Sequence, residues 1–377
     1  MSVVKTLNYY DLNTFKLQIA SDLHLEMYHN PELLQKRLSK MLTPSADFLA
    51  LLGDIGDPLL SSYQLFLKTV SPKFKHIFVV AGNHEYYRNS NIYNFPKTFE
   101  STNNHLEQIC SNIQTQNVTF LNQNSIDIVT KTKKIRILGT TLWSEIPTSL
   151  ESYIHNMMND YRKIYLSETE TITPHFVQGL FQKNVKWIQN QIVTCNKNQD
   201  TRKNKKKEKD KNKRKKRYSI KLKKKLINQK QLKMKKNEFG RVQKKKQSKK
   251  DEINEIYWQQ ELEELEIKHI EMKKKKKHEE TSVVVLTHHA PTFKGTVSPK
   301  MKGLPISHAY ASNLESLFCR PKKFLKRFGK NTNIKLWASG HTHHNYQKKM
   351  HGTKILSNSK GYPWQSIGFD PKLLVKI

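Results

Sequence analysis

Five short stretches of this chain concentrate the side chains that could do chemistry. They are Asp22-Leu23-His24, Gly53-Asp54-Ile55-Gly56-Asp57, Gly82-Asn83-His84-Glu85, His288-His289 and Gly340-His341-Thr342-His343. Together they offer carboxylates, imidazoles and one carboxamide. That donor set suits a pair of divalent metals, with zinc, iron and manganese all compatible. Asp22 and His24 are two residues apart, as are His341 and His343. On an extended backbone each pair points to one side, so each could aim both groups into one site. The glycines Gly53, Gly82 and Gly340 would permit tight turns beside the ligands. Taken singly, each feature has a plainer reading. Asp22 or Asp54 alone would be a cap or turn residue, Asn83 after glycine a turn, and His288 a hydrogen-bonded core histidine. The ordered set, not any one member, points to a metal centre.

Every one of these stretches follows an apolar run that reads as a buried strand. KLQIA (16–20) precedes Asp22, DFLALL (47–52) precedes Asp54, and HIFVVA (76–81) precedes Asn83. SVVVLT (282–287) precedes His288, and IKLWAS (334–339) precedes His341. Further strands are expected at 118–121, 126–130, 134–143, 353–357 and 373–377. Strands buried on both faces read as near-continuous apolar runs of this kind. Helical spacing lies between them. Leu33, Leu34, Leu38 and Leu42 share one face, as do Phe176, Leu180, Val185, Ile188 and Ile192. Strand–helix alternation over the first 110 residues suggests βαβ units. In α/β sheets ligands bind at the carboxyl ends of strands, which is where all five stretches fall.

The series D-x-H, G-D-x-x-D, G-N-H-E, H and G-H-x-H, in this order, resembles the signature of calcineurin-like metallophosphoesterases. SDLHLE, GNHEYY, TTLW, MNDYRKI, THHAP and NSKGYP also look like segments of that family. The resemblance implies an α/β fold, a mixed β-sheet sandwich flanked by helices in four layers (α/β/β/α). It implies metal-dependent hydrolysis of a phosphoester at a dinuclear centre, with a metal-activated hydroxide as nucleophile. Asp22, His24 and His343 would hold the first ion, Asn83, His288 and His341 the second, and Asp54 would bridge them. His289 is the alternative to His288. His84 would face the substrate as general acid or stabilise developing charge, and Asp57 would orient it. The ions would be two of Mn²⁺, Fe or Zn²⁺. Trp143 and Asn159 to Arg162 could line a substrate cleft, with packing the alternative for Trp143 and Tyr161. Two other function classes stand beside this one: a nucleic-acid-binding protein, and a scaffold that holds metal without turnover. The natural phosphoester, the preference for mono- or diesters and the oligomeric state are not encoded in these motifs, because a metal clamp recognises only the phosphoryl group.

The 377 residues carry a formal net charge of +35. Residues 201–280 hold 32 lysines and arginines against 13 acids, more than half of that excess. A domain of 14–197 plus 281–377 is therefore expected, interrupted by a lysine-rich insertion, 198–280. The insertion should be largely disordered, since it buries too little apolar surface to offset ordering. A helix, of coiled-coil character, is expected only at 252–272. KNKRKKR (211–217) fits a nuclear localisation signal or a nonspecific nucleic-acid patch, or it is a tolerated low-complexity loop. Three scattered cysteines argue against a disulfide framework and fit a reducing compartment. With no apolar run of spanning length and no signal-peptide core, an intracellular protein, cytoplasmic or nuclear, is expected.

Overall fold

The computed structural model describes residues 5–9, 11–28, 31–88, 97–195, 281–318 and 333–377. The expected insertion 198–280 and its helix at 252–272 lie outside the described residues. The described residues belong to one compact unit, built from both ends of the chain.

Two sheets face each other. One has the order β12-β2-β3-β4-β5, with β2 (Lys16–Ala20), β3 (Phe48–Leu52), β4 (His76–Val80), β5 (Val118–Phe120) and β12 (Leu374–Lys376). Its four strands β2 to β5 are parallel. The other has seven strands, in the order β1-β6-β7-β8-β9-β11-β10. These are β1 (Lys5–Tyr9), β6 (Asn124–Thr130), β7 (Lys134–Thr140), β8 (Thr281–Thr287), β9 (Ile334–Ser339), β10 (Tyr346–Met350) and β11 (Thr353–Ser357).

The side-chain alternation of the strands sorts the apolar residues into three layers of contact. Leu17, Ile19, Phe48, Ala50, Leu52, Phe78 and Val80 pack inward against Ile126, Ile135, Ile137, Val284, Leu286 and Leu336 of the other sheet. The opposite face of β3 and β4 (Leu49, Leu51, Ile77 and Val79) is covered by three helices. These are α1 (Pro31–Met41), α2 (Ser61–Val70) and α3 (Phe99–Ser111). They contribute Leu34 and Leu38, then Phe66, Leu67 and Val70, then Leu106 and Ile109. Residues 174–195 form one helix, which lays Phe181, Ile188 and Ile192 against Val283, Val285 and Trp337 on the outer face of the seven-stranded sheet. The result is the four-layer sandwich flanked by helices. Because β3 and β4 are fully buried on both faces, the ends of these strands are held rigidly.

Two strands were not expected from the sequence. β1 lies before the expected start at residue 14 and pairs in parallel with β6. β10, a lysine-bearing edge strand, pairs only with β11. Edge strands need no apolar run, and charged side chains blunt their free edge.

One polar contact ties the seven-stranded sheet. Asp127 on β6 sits opposite Arg136 on β7. Its carboxylate accepts from Arg136 Nε at 2.7 Å and Nη2 at 2.8 Å. Lys134 Nζ lies 2.8 Å from it. Burial pushes the Asp127 carboxyl up, but the bonds from Arg136 and Lys134 outweigh burial and hold it below its usual range. A lowered folded pKa means the contribution is full above the unfolded-state value and lost as pH falls through the folded one. Asp127→Asn should therefore cost about 2 kcal/mol in urea unfolding at pH 7, since it leaves a largely buried guanidinium without its anion. The gap between variant and wild type should close as pH is lowered below the folded-state pKa of Asp127.

Candidate metal centre

The carboxyl ends of β2, β3 and β4 in one sheet, and of β8 and β9 in the other, meet at one edge of the sandwich. Their exits are sewn together by main-chain bonds. Asp22 N donates to Gly53 O at 2.9 Å, His24 N to Asp54 O at 2.9 Å, and Gly340 N to His288 O at 2.9 Å. His341 N donates to the Asp22 carboxylate at 3.0 Å, linking β2 to β9.

The pairs Asp22/His24 and His341/His343 do not share a side by lying on extended backbone. All four have left-handed φ, of 54°, 49°, 67° and 44°, and Asp54 joins them at 52°. Such conformations cost of order 1–2 kcal/mol each and persist where the surroundings impose them. Glycine is required at two adjoining points. Gly53 has φ +84°, and a Cβ there would lie 2.5 Å from Gly82 N. A Cβ on Gly82 would fall onto Asp54 Oδ1 and lie 2.7 Å from His288 Cε1.

Three groups of potential ligand atoms result. Asp22, His24 and His343 form one, and Asp54, His288 and His341 another. The remaining set, His24, Glu26 and His84, is already tied together by bonds from both imidazoles to Glu26 Oε1, so the first two are the candidate ion sites. In the first, His24 Nε2 faces His343 Nε2 at 3.1 Å, and Asp22 Oδ1 lies 3.4 Å from His343 Nε2. In the second, His288 Nε2 lies 3.1 Å from His341 Nδ1, 3.2 Å from Asn83 Oδ1 and 3.4 Å from Asp54 Oδ2. Asp54 Oδ2 is also 4.0 Å from His24 Nε2, between the groups.

The outward partners decide what these facing atoms are. His24 Nδ1 donates to Glu26 Oε1 at 2.9 Å, and His343 Nδ1 to Gln365 Oε1 at 2.7 Å. His288 Nδ1 donates to Leu52 O at 2.7 Å, and His341 Nε2 to Ala309 O at 3.3 Å. In a neutral imidazole, a proton on the outer nitrogen leaves a lone pair on the inner one. Asn83 is fixed likewise. Its Nδ2 donates to Tyr87 Oη at 3.0 Å and Asp160 Oδ1 at 2.8 Å, so its carbonyl oxygen faces His288. Each group is therefore a convergence of acceptors, and only positive charge between them removes the repulsion. The field reports the same demand. Burial pushes Asp54 up, but neighbouring imidazoles hold it well below the usual range. Burial disfavours charge on His288, yet Asp54 and Asp22 push it up to about 9. The donor chemistry fits two divalent ions, one for each group.

His84 stands beside these groups. Its main-chain N donates to Asp54 Oδ1 at 2.8 Å. Its Nδ1 donates to Glu26 Oε1 at 3.1 Å, and its Nε2 lies 3.2 Å from the Tyr362 hydroxyl. Burial opposes its charge, but Asp54 and Glu26 outweigh this and push it up to about 9. Glu26 is a carboxylate on His84 Nδ1. Asp57, the residue expected to orient His84, accepts from Lys97 Nζ at 2.8 Å. The short 3₁₀ turn Leu25–Met27 is what carries Glu26 to this position. His289 does not face either group. Its Nδ1 pairs with Ser144 Oγ at 2.7 Å, and its ring stacks on His341 with centroids 4.1 Å apart. Of the residues expected along a cleft, Asn159 lines one, whereas Trp143 and Tyr161 are core. Asp160 acts inward, on Asn83. Glu85, next to His84, accepts from Asp54 N, Ile55 N and Gly82 N at 2.7–2.9 Å. Burial and the Asp54 charge push its carboxyl up to about 7.

Residues 15–163 match the model of the calcineurin-like phosphoesterase family. An uncharacterised protein of Acanthamoeba polyphaga mimivirus is 30% identical over 184 residues, which are 47% of this chain and 62% of that protein. The chain therefore spans about three-fifths of that relative's length. Among solved structures, the phosphopantetheinyl hydrolase of Mycobacterium tuberculosis aligns with 93% of this chain and 90% of its own, at 12% identity and a TM-score of 0.50. That likeness supports the fold alone. A dimetal phosphatase of Danio rerio aligns with 91% of this chain and 86% of its own, at 10% identity and a TM-score of 0.37, too low to carry an argument.

Two substitutions test how the centre is held. Gly82→Ala should weaken metal binding at least tenfold in a chelator competition, because the added methyl displaces both Asp54 and His288. Glu85→Ala should cost about 3–5 kcal/mol in thermal or urea unfolding, since it strands three buried N–H groups.

Proposed function

We propose that this chain is a metal-dependent phosphoester hydrolase. The observation that carries the reading is the convergence of lone pairs: outward hydrogen bonds turn imidazole nitrogens and the Asn83 carbonyl oxygen onto two points, alongside two buried carboxylates. Asp22, His24 and His343 would hold one ion, and Asn83, His288 and His341 the other. Asp54, which reaches both groups, would be shared. Paired divalent ions supply Lewis-acid stabilisation of the phosphoryl oxygens and lower the pKa of water toward neutrality. The donor types suit zinc, iron or manganese.

The chain's own residues do the rest. Asp22 and Asp54, both held below the usual carboxylate range, would supply the anionic ligands. His84 holds a proton at neutral pH, and Glu26 on Nδ1 leaves Nε2 as the nitrogen that can face an ester. Nε2 passes its proton to the departing ester oxygen, so that an alcohol leaves rather than an alkoxide. Bound cations would lower the pKa of His84 from about 9 toward the range in which a general acid is effective. Glu26 fixes the ring's orientation and favours the imidazolium. Among the described residues no helix is long and apolar enough to cross a membrane.

His84→Ala should retain both ions by elemental analysis while kcat falls by about 10²–10⁴. Asp54→Asn should lose metal and turnover together, in assays of aryl phosphate mono- and diesters under zinc, iron and manganese loading. Equal rates in wild type and Asp54→Asn, or metal-free protein after every loading, would sink the proposal.

A further inference from the structure

A cleft of about 290 Å³ opens beside His84 and Glu26. His84, Tyr87, Asn159, Lys163, Tyr362 and Trp364 form much of its wall. Trp364 is 72% exposed, the most open large apolar side chain among the described residues. It is not loose: its indole stacks on the Tyr362 ring, with centroids 5.0 Å apart and planes 18° from parallel. Tyr362 in turn packs on His24 at 4.3 Å and lies 5.9 Å from the His84 ring. One face of a flat, electron-rich ring is thus held toward solvent at the mouth of a polar cleft. An exposed tryptophan fixed in this way is a stacking platform, the arrangement that binds flat rings of any sequence or substituent pattern.

We propose that the substrate is a nucleoside phosphoester whose base stacks on Trp364. The inference rests on the hydrolase reading, in which His84 faces the departing oxygen; the cleft beside it then receives the ester's organic part. Spacing selects the class. A phenol ester sets its ring next to phosphorus, where Tyr362 already covers His24. Trp364 stands two ring-to-ring steps from His84, so a ring reaching it must be separated from phosphorus by a spacer such as a pentose. Asn159 and Lys163 put an amide and an ammonium on the same wall, suited to sugar hydroxyls and the acceptors of a base edge. Lys163 is held there by its helix turn, Asp160–Lys163, and its ammonium lies 5.5 Å from the Tyr87 ring centroid.

The test compares adenosine 5′-monophosphate with ribose 5-phosphate, which keeps the ester and sugar but lacks the base. In metal-loaded wild type, the nucleotide should quench tryptophan fluorescence and the sugar phosphate should not. Trp143, Trp187, Trp258 and Trp337 also fluoresce, so the Trp364 variants assign the change. It should vanish in Trp364→Ala and in Trp364→Leu, the latter keeping apolar bulk without a flat ring. The ratio of kcat/KM for the nucleotide over the sugar phosphate should fall about tenfold in both variants. A ratio unchanged within twofold, with both esters still hydrolysed, overturns the platform and leaves the hydrolase reading standing. Quenching at Trp364 without turnover of any phosphoester supports the platform and defeats the hydrolase reading. A larger loss on phenyl phosphate than on the nucleotide overturns the pentose spacing.

Discussion

The three hydrogen bonds accepted by Glu85 are the constraint on which the centre depends. A carboxylate with no exposure lies beneath the turns that follow β3 and β4, and main-chain N–H groups of Asp54, Ile55 and Gly82 point at it. Those N–H groups have left their strands and would otherwise be buried without partners. Glu85 satisfies them and locks the two turns in register. Asp54 is then aimed by its own main chain and by the His84 N–H that its side chain accepts. Asp54 and His84 are therefore both set by one residue in the 3₁₀ turn after β4. An acid is needed because its two oxygens can accept three donors at once; an amide offers one acceptor oxygen and adds donors of its own.

The same logic recurs one step further out. A metal-binding side chain must show its lone pairs inward, and in each case an outward acceptor enforces this: Glu26, Gln365, Leu52 O, Ala309 O and Asp160. These five partners come from five separate regions of the chain, and four of them are distant in sequence from the residues they orient. Left-handed backbone at five ligand-bearing positions adds strain to the electrostatic tension among the acceptors. The sandwich can sustain both. β3 and β4 are buried on both faces, so the turns cannot relax without exposing Phe48, Leu51, Phe78 or Val79. Rigidity here follows from apolar packing well away from the candidate ligands.

The strands that carry the ligands were legible because parallel, doubly buried strands are continuous apolar runs with glycine or polar residues at their ends. KLQIA, HIFVVA and IKLWAS are the strands, to within a residue. β1 and β10 were not legible, since KTLNY and YQKKM bury little and carry the polar side chains of edges. The candidate ligands could be read from residue type and order, but not the way the backbone presents them. Extended geometry and a left-handed turn place i and i+2 on a common side equally well, and sequence does not separate the two. The contact of Glu26 with His84 has the same origin. Asp57 and Glu26 are both acids close to a ligand, at Asp54 + 3 and His24 + 2. A three-residue 3₁₀ turn brings Glu26 to His84, and Asp57 accepts from the ammonium of Lys97, 40 positions away.

The turn after β11 connects the chemistry to its surroundings. Gln365 fixes His343, and the same Gln365 Oε1 accepts from Tyr362 N at 2.9 Å. Tyr362 lies across His24 and His343, with its hydroxyl at His84 Nε2, and its ring backs Trp364. Gly361, with φ +74°, lets the chain double back so that all three side chains leave one short segment in different directions. A single turn therefore orients a ligand, caps the proton-bearing nitrogen and extends an aromatic face to solvent. Because these contacts share one turn, Trp364 is linked to His84 through Tyr362, and Tyr362 to His343 through Gln365.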